Sequence, residues 1–104
     1  MSSLLEELLE IDAKNITYQT ILNSGPKLQE KLQHVHQPDV EEKLSDLLTY
    51  IRACLLMEES MNELINESLI LEQTITTYHT KMEIILQDSL NELMMVLYQN
   101  NVSI

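Results

Sequence analysis

From Asp39 to about Gln99 the chain holds neither Gly nor Pro and sets apolar residues at helical spacing almost throughout. Written as heptads, one core row is Leu44, Ile51, Glu58, Ile65, Glu72, His79, Leu86 and Leu93. The second is Val40, Leu47, Cys54, Met61, Ser68, Ile75, Met82, Ser89 and Val96. A period of 3.5 predicts left-handed supercoiling. Leu48 and Leu55 widen this seam on one side, and Met57, Leu64, Leu71, Tyr78 and Ile85 widen it on the other. A two-stranded zipper needs a narrow seam with charged borders, so the breadth predicts a bundle of three or four helices.

Polar residues interrupt the seam at Glu58, Ser68, Glu72, His79 and Ser89. Such residues either fix register and partner choice or slide to the rim, and the rim is the expected place for them. Capping-box pairs at Ser60/Glu63, Thr80/Glu83 and Ser89/Glu92 mark points where the helix can stop. Four threonines between Thr74 and Thr80 make 74–80 the first candidate for a break, with 58–60 next. Lacking Gly, Pro or Asn at those points, 39–99 is expected to run as one helix, with two helices joined at such a break as the alternative. About sixty residues would then span roughly 90 Å.

The N-terminal part reads as two shorter helices. Ser3 and Glu6 form a capping box for a helix over 3–23, whose core row is Leu4, Leu8, Ile11, Tyr18 and Leu22. Asn23-Ser24-Gly25-Pro26 stops it, with Gly25 expected as the left-handed residue. A short helix over 26–37 carries Leu28, Leu32 and Val35 on one face. Pro38 ends it, and Asp39 with Glu42 is expected to cap the long helix. Residues 100–104 are expected to fray. The whole is one all-α domain, 1–104.

Composition supports that class and narrows the partners. There is no Phe, no Trp and a single Gly, which suits neither sheets nor tight turns. A formal charge of −11, with six basic residues that form no patch, argues against direct nucleic-acid or membrane-surface binding. It leaves a basic protein client possible. No apolar run reaches the ~20 residues needed to span a bilayer. Met1-Ser-Ser is followed by an acidic amphipathic pattern unlike a signal peptide. Cys54, alone in the chain, reads as a small buried apolar residue in a reducing interior, with the nucleus preferred to the cytoplasm. The Asn-x-Ser/Thr triplets at Asn15, Asn66 and Asn101 then read as chance matches.

Chemistry is sparse. His34 and His36 point apart on a helix and His79 has no Cys nearby, so neither a metal nor any other cofactor is expected. No phosphate loop or nucleophile motif exists, and no enzyme is expected. Leu5–Leu9 and Leu44–Leu48 both match Leu-x-x-Leu-Leu, and ordinary core packing is the expected use. In architecture alone the chain is similar to small helical subunits of kinetochore, Mediator or vesicle-tethering complexes.

The expected function is a structural subunit of a hetero-oligomer that offers helices to other helical proteins. The alternative is an acidic module or chaperone that captures a basic client such as a histone. Expected partner contacts on the first half of the seam are Leu44, Leu47, Leu48, Ile51, Leu55, Met61, Leu64 and Ile65. On the second half they are Leu71, Ile75, Tyr78, Met82, Ile85, Leu86 and Leu93. Ile65→Ala or Leu71→Ala is expected to cost ~2–5 kcal/mol of folding or assembly.

Overall fold

A computed structural model describes residues 3–68 and 71–104, and within them the chain is all-α. Ser3 opens α1 (Leu4–Leu9) through the expected capping box. The Glu6 side chain accepts from the backbone N–H groups of Ser3 and Ala13, at 3.2 and 3.1 Å. Those two bonds, Ala13 first, hold its carboxyl below the usual carboxylate range.

The helix expected over 3–23 is in fact broken. Glu10 turns left-handed at φ 58°, and Asp12 caps a single 3-10 turn over Ala13–Asn15. Thr17 and Thr20 then cap each other at the start of α2 (Tyr18–Leu22). Asp12, Asn15 and Thr17 all bond readily to nearby backbone, which competes with helix continuation.

Gly25 is not the left-handed stop expected of it. No glycine has positive φ; Gly25 is the first residue of α3 (Gly25–Leu32), buried against α4. A Cβ there would meet Leu48 and Ile51 at 3.7 and 3.9 Å. The helix ends at Leu32 rather than 37, although Val35 still packs inside. Pro38, not Asp39, opens α4 (Pro38–Asn66), with Gln37 at the cap position. Proline suits a first turn because the N–H it lacks would have no partner there. Asp39 lies within that first turn and instead accepts from the Asn100 side chain at 2.9 Å.

The long stretch is two helices, α4 and α5 (Glu72–Gln99). Glu67 caps α4 and Ser68 takes φ 59°, its N–H bonded to the Ile65 carbonyl at 2.9 Å. The expected break at 74–80 lies inside α5, as 58–60 lies inside α4. Thr76, Thr77 and Thr80 donate to carbonyls four residues back, at 3.2, 3.0 and 3.0 Å, so their hydroxyls are satisfied within the helix. The end of α4 falls instead at Asn66-Glu67-Ser68, polar residues of which Asn and Ser tolerate a helix terminus well.

α4 and α5 lie antiparallel, since Asp39 meets Asn100, Lys43 meets Glu92 and Glu58 meets His79. The molecule is 49 Å long instead of ~90 Å. α1–α3 pack on one side of this hairpin and bury Leu8, Ile21, Leu28, Leu47, Leu86, Leu90 and Leu93 among others. The tail is tied down rather than frayed. Asn101 turns left-handed, the Val102 N–H bonds the Leu97 carbonyl at 3.0 Å, and Val102 packs on the core. That is a Schellman closure.

Candidate interaction surface

Going round α4, a buried row (Val40, Leu47, Ile51, Cys54, Met61) has an apolar flank on each side. One flank, Leu44, Leu48 and Leu55, faces α3. Leu44 and Leu48 share a groove of about 400 Å³ with Leu32 and Val35, and Leu55 borders a smaller one beside Gly25. The other flank is Tyr50, Met57 and Leu64, which are 43%, 46% and 37% exposed.

α5 is divided in the same way. Glu83 accepts from the Tyr18 N–H at 2.8 Å, and Gln87 and Leu90 meet Leu5 and Ile16, so this flank carries the N-terminal segment. Across the buried row lie Tyr78 and Ile85, with Leu71 just before the helix. Ile85 is 44% exposed and Leu71 73%. In an antiparallel pair these second flanks share one side. Positions 50, 57, 64, 71 and 85 thus make an exposed apolar strip at heptad spacing on the side of the hairpin away from α1–α3. Tyr78, in the same register, is half-buried between this strip and Tyr18 of α2.

The strip continues past the point where α2 reaches the seam, and a polar knot marks that point. The Glu58 carboxylate accepts from the Tyr18 hydroxyl at 2.7 Å and from His79 Nε2 at 2.5 Å. The Tyr18 ring stacks on the His79 ring, centroids 4.7 Å apart, and meets Tyr78 edge-on at 6.5 Å. Burial, and then the bond to Glu58, pushes the Tyr18 phenol far above its ordinary range. Burial, with Cys54 alongside, raises Tyr78 to about 12. Two of the polar seam residues are therefore paired with each other across the hairpin.

The fifteen residues expected to meet partners divide three ways. Leu47, Ile51, Met61, Ile75, Leu86 and Leu93 are buried inside the chain itself. Leu44, Tyr78 and Met82 are half-buried against that core, and Leu48 is half-buried beside α3. Leu55, Leu64, Ile65, Leu71 and Ile85 remain exposed. Folding back is what hides the first group, because each long helix finds its neighbour in the same chain. Both Leu-x-x-Leu-Leu matches are spent on packing, with Leu8, Leu9 and Leu47 buried.

Tyr50 was missed although it sits seven residues before Met57 in the same row, and Tyr18 was placed in the core without its reach to Glu58. His34 and His36 are exposed, His34 near the Ser103 carbonyl and His36 near Glu41. Among the described residues no three His, Cys, Asp or Glu side chains converge as metal ligands, and no helix is long and apolar enough to cross a membrane. Set against known protein families, characterised proteins and solved structures, the chain matches none.

Proposed function

We propose that this protein is a non-enzymatic structural subunit of a hetero-oligomeric assembly, and that partner helices seat on the open side of the α4–α5 hairpin. The observation that carries the reading is the exposed heptad strip of Tyr50, Met57, Leu64, Leu71 and Ile85. A bundle helix buries an arc of at least 100°, and on this side the arc stops at solvent. Contiguous apolar surface bordered by polar residues marks an interaction site. Met57 suits such a surface, since a flexible thioether repacks against varied neighbours. Kinetochore or transcription-complex subunits are the kind of setting meant, by architecture alone.

The test is capture from the native cell with the wild-type chain and with Met57→Ser/Leu64→Ser/Ile85→Ser side by side. All three side chains are 37–46% exposed, so the variant should keep its helicity and a cooperative melt at a somewhat lower midpoint. Loss of the captured helical partner in the variant is the expected result. Equal recovery by both chains would remove the open side as the interface.

A second reading has its own support, because the chain closes its core without help and is strongly acidic. A self-sufficient module holding a basic client by charge would release it as salt rises, whereas a seated apolar helix would be far less sensitive.

A further inference from the structure

We infer that the helix seated on the open side is an amphipathic helix of another protein whose apolar row is bordered by lysine or arginine. This rests on the bundle-subunit reading and names the chemistry of the partner. The exposed floor of the seat is Met57 and Leu64 from α4 and Ile85 from α5, with Tyr78 and Met82 half-buried behind it. From Tyr50 to Leu64 the strip runs about 21 Å, which fits roughly four turns of helix.

Charge selects among occupants. Helical spacing borders the strip with Asp46 and Glu67 on the α4 side, and with Lys81, Asp88 and Glu92 on the α5 side. Glu92 already has a partner, Lys43 at 3.4 Å. Asp46, which shares Lys43 with Glu92, and Glu67 and Asp88, unpaired among the described residues, thus leave the border acidic against Lys81. The wider field has the same sign, since Ala53 to Asn91 contains seven acidic residues and one basic.

A second copy of the chain would bring the same acids to the same border, and with −11 on each molecule that pairing is repelled. An anionic lipid surface is repelled for the same reason. A helix with basic borders meets both requirements at once. Its apolar row covers the floor, and its cations face Glu67, Asp88 and the partly offset Asp46.

The experiment uses the full chain and labelled synthetic helices of about 18 residues that share one apolar heptad row. One is bordered by Lys and Arg, one by Glu, and a third scrambles the basic sequence so that no apolar row forms. Binding is read by fluorescence anisotropy, with sedimentation of the unliganded chain beside it.

Expected is roughly tenfold or better preference for the basic border over the acidic one, narrowing as salt rises from about 0.05 to 0.3 M. The scrambled helix should fail, and Met57→Ser/Leu64→Ser, which changes no charge, should weaken the basic helix about tenfold or more. Equal affinity for the two borders would overturn the inference, as would binding that ignores the serine pair. So would self-association of the unliganded chain through this side. Acidic and basic helices that both depend on the serine pair would discard the basic border while leaving the bundle-subunit reading intact. Cell capture that survives the serine variants would instead remove that reading.

Discussion

Glu58 is a polar interruption of the α4 seam, and its half-buried carboxylate accepts one hydrogen bond from Tyr18 of α2 and one from His79 of α5. Tyr18→Phe removes one donor and leaves His79. A hydrogen bond to a charged acceptor at a half-exposed site is worth about 1–2 kcal/mol, and urea melts should show a loss of that size. An unchanged midpoint would mean that the knot does nothing for stability.

The tyrosines of the knot also set a pH dependence. Their folded-state pKa values are raised, so the neutral phenol is the form the fold prefers. Stability from this source is complete below the ordinary phenol value near 10, and it fades as pH climbs through the folded value of about 12 for Tyr78. Urea midpoints should therefore fall on going above about pH 10, and Tyr78→Phe should flatten that fall. A slope identical in both chains would contradict the assignment.

Where elements begin and end depended on single residues whose roles the sequence stated unevenly. The Ser3/Glu6 box was legible because a serine three residues before a glutamate has one dominant local use. Pro38 marked the start of α4 to within a residue, but it opens that helix instead of ending the one before. The helix over 3–23 misled because its apolar rows continue in phase through Asp12–Thr17, while side-chain bonds from Asp12 and Thr17 turn the backbone twice.

The turn between α4 and α5 was hidden for the opposite reason. A left-handed residue is usually announced by Gly or Asn, and here it is Ser68. Holding a β-carbon in that conformation costs about 1–2 kcal/mol. Ser68→Gly should consequently raise stability by roughly 0.5–1 kcal/mol after the added freedom of the unfolded chain is counted. The change is read from thermal or urea unfolding.

At the level of the molecule, the seam anticipated from heptads was real, but its first occupant is the chain itself. A pattern of apolar positions says how much surface a helix must cover, not whether the cover is intramolecular. Only the turn decides that. The open side was legible in part, since Met57, Leu64, Leu71, Tyr78 and Ile85 already stood out as a second flank, and all but Met57 were expected to meet partners.

Two classes of substitution should therefore separate cleanly. Leu47→Ala or Leu93→Ala, at fully buried sites, should cost the isolated chain about 2–5 kcal/mol. Ile65→Ala and Leu71→Ala, at 36% and 73% exposure, should cost it about 1 kcal/mol or less, well below what the seam alone suggested.

Methionine oxidation tests the hairpin and its open side together, because the chain carries its own reporters. Met61 and Met94 are 5% and 6% exposed, whereas Met57 on the open side and Met95 on the back of α5 are 46% and 59% exposed. Dilute peroxide followed by peptide mass spectrometry should oxidise Met57 and Met95 early and Met61 and Met94 late in the isolated chain. With the captured partner bound, Met57 should become slow while Met95 stays fast. Comparable rates at all four in the free chain would mean that the helices do not close on each other, and unchanged Met57 oxidation in the complex would mean that partners dock elsewhere.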